Sequence, residues 1–78
     1  MKIVVKRIND EVYDTKNIIF FNDDEVEKVK ELLNEIKDQV QTFYVFDRIK
    51  NQLIVYLTDG YYDPDELNKI INKYITKH

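Results

Sequence analysis

The sequence predicts an α+β domain made of two ββα units, with a four-stranded antiparallel sheet and both helices on one face. The first observation is an internal repeat: residues 21–29 and residues 62–70 share an aromatic residue, a helix-capping residue, acidic residues after it and the following apolar pattern, at an offset of 41 positions. The second is that the same offset aligns three residues of the first half with identical residues of the second half: Val4, Arg7 and Ile8 with Val45, Arg48 and Ile49. A shift that aligns a strand and a helix start indicates a repeated supersecondary unit. We therefore predict one domain, residues 1–78, with a pseudo-repeat at 1–41 and 42–78.

The first unit contains two predicted strands and one predicted helix. Residues 2–8 are rich in β-branched side chains and residues 18–21 form a second apolar run, with a polar connection between them. The hydrophobic period then changes to steps of three and four, which predicts an amphipathic helix over about residues 23–40. Asn22 and Glu25 have the spacing of a capping box at its start.

The second unit repeats this order. Residues 42–47 and 53–57 are predicted strands, joined by a short turn around residues 49–51. Asp63 is the predicted helix cap and Pro64 the first helical residue. The resulting order is equivalent to a ferredoxin-like βαββαβ fold whose last strand has moved to the front.

The composition indicates a cytoplasmic protein without a membrane segment. The 78 residues include no Cys and carry 12 basic and 15 acidic side chains, a net charge of −3. Apolar runs are too short to span a bilayer. The acidic balance makes nucleic acid an unlikely default partner, because polyanion-binding domains are usually basic.

The sequence contains few of the residues that catalysis or cofactor binding requires. The one His is the terminal His78, no Ser or Cys nucleophile exists, and no glycine-rich phosphate loop is present. The acidic clusters near residues 23–25 and 59–66 do not have the spacing of a cation-binding loop, and helix capping accounts for them. We predict no enzymatic activity, no cofactor and no metal.

The strands are apolar on both faces, although a two-layer domain covers only one. The interpretation is an interface on the uncovered face, for a homodimer or another protein; the alternative is that Lys and Arg stems cover it. The face predicted to point outward is Ile3, Val5, Arg7, Tyr44, Phe46, Arg48, Ile54 and Tyr56. Its aromatic and arginine side chains would be the anchors: Tyr44, Phe46, Arg48, Tyr56 and Arg7. Such a face also resembles platforms for single-stranded RNA, where bases stack on exposed rings.

A second candidate surface is an acidic stripe on the first helix with a nearby loop tyrosine. Glutamate and aspartate residues follow at steps of four, four and three, which predicts that all lie on the exposed side: Glu27, Glu31, Glu35 and Asp38. The stripe would imitate phosphates and engage a basic groove, or it is only a solvated face. Tyr61 would be a contact residue in the single glycine-containing loop, or its ring lies against the sheet edge.

The amino-acid usage indicates an A/T-rich genome. Ala, Ser, Cys and Trp are absent, whereas Ile, Lys, Asn and Tyr make up 33 of the 78 residues. We therefore expect a small acidic protein-interaction module from a phage or mobile element that binds a macromolecular partner, for example as an inhibitor of a host defence or nucleic-acid-binding protein. The alternative is a nucleic-acid-binding or regulatory domain that uses the aromatic sheet face.

Overall fold

The computed structural model describes residues 1–39, 42–58 and 64–75. In chain order its elements are β1 (Lys2–Arg7), β2 (Thr15–Phe20), a 3-10 turn (Asp23–Glu25), α1 (Val26–Gln39), β3 (Tyr44–Asp47), β4 (Gln52–Leu57) and α2 (Pro64–Ile75). The α+β class is confirmed, with a four-stranded antiparallel sheet and two helices.

The sheet has the strand order β1-β2-β4-β3, and every neighbouring pair is antiparallel. The two central strands, β2 and β4, come from opposite halves of the chain. Their register places Ile19 opposite Leu53 and Ile18 opposite Ile54. Because side chains alternate between faces along a strand and cross-strand partners share a face, this register assigns every strand residue to one of two faces.

The hydrophobic core lies between the helices and one face of the sheet. Its buried side chains come from β2, β4 and both helices, with Phe21 at the entrance to α1: Ile19, Phe21, Val29, Leu32, Ile36, Leu53, Val55, Leu57, Leu67, Ile70 and Ile71. Each fully buried Leu or Ile contributes about 1.5–3 kcal/mol of transfer free energy. This layer therefore fixes which sheet face the helices cover.

The start of the first helix follows the predicted capping chemistry, with one difference. Asn22 and Glu25 form the capping box, and Glu25 Oε1 accepts from the Asn22 amide at 2.9 Å. The first turn is 3-10, so α1 itself begins at Val26. In the second unit α2 begins at Pro64, as predicted. Its predicted cap, Asp63, lies outside the described residues.

The strand β2 begins at Thr15, three residues before the predicted start. The polar first half of β2 pairs with β1 on one side and with β4 on the other. This pairing begins at Thr15, which lies opposite Arg7 in β1 and opposite Leu57 in β4. Backbone pairing on both sides stabilises an extended conformation whatever the polarity of the side chains. One consequence is that Asn17 is buried, at 3% exposure, on the helix-covered face.

The β3–β4 turn is tied to the start of the first helix. Asn51 has a backbone φ of 53°, a left-handed conformation that Asn adopts more readily than most residues. Its carbonyl oxygen accepts from the Phe21 amide at 3.1 Å, and its side-chain amide donates to Asp23 Oδ1 at 2.9 Å. Asp47 Oδ1 accepts from the Ile49 amide at 2.9 Å, closing the turn.

Within the described residues, no helix is long and apolar enough to cross a membrane.

Candidate functional site

The face of the sheet opposite the helices is the main candidate surface, and we call it the open face. The register defines its members: Lys2, Val4, Lys6, Lys16, Ile18, Phe20, Phe43, Val45, Asp47, Gln52, Ile54 and Tyr56. The described helices pack against the other face of the sheet. Val45 is 37% exposed and Phe43 52% exposed. Large apolar side chains on an uncovered sheet face are typical of an interaction surface.

An apolar row crosses the centre of the open face. Val4, Ile18, Ile54 and Val45 are consecutive cross-strand partners over all four strands. Ile18 is only 7% exposed although it lies outside the core cluster on the helix side of the sheet. The row is therefore a continuous apolar strip rather than a set of isolated residues.

Three aromatic rings form a cluster at one end of the open face. The ring centroids of Tyr56 lie 5.5 Å from Tyr13 and 5.3 Å from Phe43, within the usual range for favourable aromatic pairs. The β1–β2 loop holds Tyr13 there, since Asp10 Oδ1 accepts from the amides of Val12 and Tyr13 at 2.8 and 3.2 Å. These two hydrogen bonds lower the pKa of Asp10. We refer to Tyr13, Phe43 and Tyr56 as the aromatic cluster.

The predicted choice of outward face is wrong for β1 and β3. Tyr44 is paired with Val55 and Phe46 with Leu53, so both lie on the helix-covered face. The Phe46 ring stacks on Phe21 with centroids 5.7 Å apart. The same register puts Ile3, Val5 and Arg7 on the helix side of the edge strand β1. The cause is that both faces of β3 are apolar, so the relative register of the strands could not be derived from alternation alone.

Two further predicted anchors have different positions. Tyr56 does lie on the open face, in the aromatic cluster. Arg48 lies in the β3–β4 turn, where its guanidinium is 3.5 Å from Asp23 Oδ1 and also hydrogen-bonds Asn51 Oδ1. The hydrogen bond from Asn51, followed by the contacts of Arg48, lowers the pKa of Asp23. Arg48 therefore stabilises the β3–β4 turn and does not lie on the open face.

Sequence reasoning missed several open-face residues that carry an identifiable signal. Lys2 and Lys6 alternate with Ile3 and Val5 along β1, and charged side chains normally mark the solvent side of a strand. Val4 shares that parity and so belongs to the open face. Tyr13 carried no comparable signal, because its position depends on a loop fold that places residues from the β1–β2 connection beside β4.

The acidic stripe is only partly a solvent-facing feature. Glu27, Glu31 and Asp38 are exposed, as predicted. The prediction is wrong for Glu35, whose two carboxylate oxygens accept from Lys73 Nζ at 2.9 and 2.8 Å. The reason is that α2 packs beside α1 and brings basic and phenolic donors to this position.

We call the contact between Glu35, Lys73 and Tyr74 the interhelix bridge. Besides the lysine, Glu35 Oε1 accepts from the Tyr74 hydroxyl at 2.9 Å. The hydrogen bonds from Lys73 and then from Tyr74 lower the pKa of Glu35. Burial, followed by the hydrogen bond to Glu35, raises the pKa of Tyr74. Glu35 therefore joins two helices rather than contributing to a free acidic surface.

Charge is distributed unequally between the two sides of the described structure. The open face carries Lys2, Lys6 and Lys16 against the single carboxylate of Asp47. The segment 23–39 carries seven carboxylates against three lysines. A chain with a net charge of −3 thus presents a locally basic sheet surface. The lysines lie on β1 and β2, and Asp47 lies on the opposite edge strand.

Within the described ranges, no trio of His, Asp or Glu side chains is placed to hold a metal ion. The predicted contact residue Tyr61 lies outside those ranges. Comparison of the chain with protein-family models, with curated proteins and with solved structures finds no match.

Proposed function

We propose that this protein is a small protein-interaction module that acts by binding another macromolecule, and that the open face is its binding surface. The observation that carries the proposal is the apolar row Val4–Ile18–Ile54–Val45 on the side of the sheet away from the helices. Apolar side chains gain about 25 cal/mol for each Å² removed from water. A partner that covers this strip supplies that stabilisation.

The proposal includes the finer topology and the biological setting predicted from the sequence. The strand order β1-β2-β4-β3 supports a ferredoxin-like sheet whose last strand has moved to the front of the chain. Amino-acid usage supports a cytoplasmic protein of a phage or mobile element, and an inhibitor of a host factor is a role that suits its size and lack of catalytic groups. We propose no enzymatic activity.

Phosphate mimicry by the first helix is a weaker basis for that role. Glu35 is engaged in the interhelix bridge, and Glu27 lies 3.6 Å from Lys30 Nζ. Glu31 and Asp38 are the two remaining acids of the stripe, and both are exposed. Two carboxylates set a weak field compared with a run of phosphates, since screening limits the reach of exposed charges to about 8 Å.

Nucleic-acid binding is the second candidate, favoured by one observation. Lys6, Lys16 and Tyr56 occupy consecutive positions in one row of the open face, beside Phe43. Aromatic rings that stack bases and lysines that contact phosphates are the usual components of single-strand platforms. The acidic net charge opposes this reading, so it ranks second.

The test compares three immobilised baits in lysate of a candidate host: wild type, Ile54→Lys, and a double variant Glu31→Gln/Asp38→Asn. We expect a specific protein captured by wild type to be lost with Ile54→Lys and retained with the acid-neutralised control. The reverse result would move the binding surface to α1. Circular dichroism of each bait first establishes that it is folded.

A titration of labelled single-stranded oligonucleotide separates the second candidate from the first. The proposal expects negligible binding at low salt. Binding that falls steeply as salt increases, and that Lys16→Glu abolishes, would instead favour nucleic-acid recognition, because phosphate contacts release counterions.

A further inference from the structure

We propose that the occupant of the open face is a second copy of this chain, in a dimer whose two-fold axis runs parallel to the strands between β2 and β4. This inference rests on the proposed function, because it identifies the partner of the same surface. Rotation about that axis places β1 over the partner's β3 and β2 over the partner's β4, and each cross-strand row then faces its own reversed copy. The self-complementarity of these rows carries the argument.

The central row matches itself under this rotation. Val4 faces the second copy's Val45, and Ile18 faces its Ile54, so apolar side chains meet along the whole strip. Facing sheets pack about 10 Å apart and about 30° from parallel, a spacing that interdigitated Val and Ile side chains fill. No polar group of this row is buried without a partner.

The flanking rows are complementary in charge. One row reads Lys2, Phe20, Gln52 and Asp47 across the sheet, so rotation puts Lys2 over the second copy's Asp47 at both ends of the interface. Asp47 Oδ1 already accepts from the Ile49 amide, which holds the carboxylate at the end of β3. Each dimer thereby gains two symmetric ion pairs.

The remaining row brings lysines to aromatic rings. Its members are Lys6, Lys16, Tyr56 and Phe43, so rotation places Lys16 over the second copy's Tyr56 and Lys6 over its Phe43. A lysine over an aromatic face is attracted by the ring quadrupole. An axis perpendicular to the strands would instead place each strand over its own counterpart, with Lys2 against Lys6. The charge pattern selects the parallel axis.

The size of the face sets the expected strength of the dimer. Four strands spaced about 4.8 Å apart and six residues rising about 3.3 Å each give a footprint of roughly 19 × 20 Å. That is about 380 Å² on each copy, or roughly 760 Å² in total, which is below the ~1,200 Å² that stable specific interfaces bury and is typical of weak, transient contacts. We therefore expect a reversible dimer that dissociates on dilution, detectable by sedimentation equilibrium from low micromolar to millimolar protein.

The first experiment measures dimer dissociation for wild type, Ile54→Lys, Val45→Lys and the control Lys69→Glu, whose residue is exposed on α2. We expect wild type and the control to dimerise and both open-face variants to be folded monomers. Two variants are included because Ile54 is half-buried and its replacement alone could unfold the chain. A monomeric wild type at millimolar concentration, or a dimer that survives Val45→Lys, would overturn the proposal.

The second experiment tests the axis. Lys2→Glu should weaken the dimer by about 2- to 30-fold, the range for two exposed ion pairs, and much less in an Asp47→Asn background, which keeps the turn acceptor. Equal weakening in both backgrounds would refute the pairing.

Cross-linking gives an independent reading of the axis, since the chain has no cysteine of its own. A short bismaleimide spanning the ~10 Å between packed sheets should link a mixture of Val4→Cys and Val45→Cys chains, but neither variant with itself. Self-linking of Val4→Cys would refute the parallel axis. If dimerisation fails while the Ile54→Lys bait still loses a captured protein, the open face binds a different partner and the proposed function stands.

Discussion

Replacing Asn17 with leucine should make the protein more stable. Asn17 lies on the helix-covered face between Val5 of β1 and Val55 of β4, and it is only 3% exposed. Its Nδ2 has no hydrogen-bond partner. A buried amide that has left water without gaining a partner costs the full desolvation of that group, about 1–3 kcal/mol.

The magnitude follows from removing that cost while keeping the branching of the side chain. Leucine has the same branching and the same number of non-hydrogen side-chain atoms as asparagine, although its methyl groups are bulkier, and it adds apolar surface against Val55 and the core residue Ile19. We expect Asn17→Leu to raise the free energy of unfolding by about 1–2 kcal/mol, less than the sum of both effects because a new side chain seldom packs perfectly. Asn17→Asp, of the same shape, should lower it by about 3 kcal/mol or more, because it moves a carboxylate out of water into a site between Val5 and Val55.

Urea denaturation followed by circular dichroism measures both variants against wild type. If the slope of the unfolding free energy against urea concentration is unchanged, the variant differs in stability and not in the compactness of the folded or unfolded state. A stabilisation of 1 kcal/mol corresponds to a rise in melting temperature of about 4–8 °C for a chain of this size. The reasoning would be refuted if Asn17→Leu were less stable than wild type by 1 kcal/mol or more, since the amide would then be making a valuable interaction.

Further substitutions test three other contacts. Asn22→Ala should lower the free energy of unfolding by about 0.5–2 kcal/mol through loss of the helix cap, and an unchanged urea midpoint would contradict that role. Asn51→Ala should destabilise by about 1–2 kcal/mol, the cost of the left-handed conformation, and Asn51→Gly by less; equal losses would show that only the side-chain bonds matter. Glu35→Gln should be destabilised at neutral pH, whereas the exposed control Glu31→Gln should not. The pKa of Glu35 is lowered from 4.5, so the stability that the interhelix bridge adds should be lost progressively as the pH falls below that value. The pKa of Tyr74 is raised from 10.0, so this stability should also decline in strong alkali. A stability difference between Glu35→Gln and wild type that does not change with pH would disprove the bridge.

Helix positions were predictable from the sequence because local chemistry specifies them. The three-and-four period of α1 and the Asn22–Glu25 spacing both act within one or two turns of the chain. The α+β class followed from the same local signals. The early start of β2 was not predictable, because Thr15, Lys16 and Asn17 are held extended by two neighbouring strands rather than by their own propensity.

The candidate site was only partly predictable, and the sheet shows why. Alternation divides β3 and the residue before it into two apolar sets, Tyr44 with Phe46 and Phe43 with Val45, but it does not determine which set faces the helices. That choice depends on pairing with β4, so an error of one position exchanges the two faces. The prediction that Glu35 is exposed was wrong for a related reason: the groups that donate hydrogen bonds to it lie on α2, and the helical period of α1 carries no information about them.

The central position of β2 and β4 constrains the order in which the chain can fold. Residues 20 and 52 are the closest pair in sequence along this ladder, and pairing them closes a loop of about 30 residues. Loop closure of that length costs about 3 kcal/mol of chain entropy before any contact repays it. The Asn51 carbonyl and Phe21 amide lie beside that pair, so zippering from this junction toward Thr15 and Leu57 follows the path of lowest entropic cost. Hairpins and helices can form within microseconds, which leaves this junction as the expected nucleus and the slow step of folding.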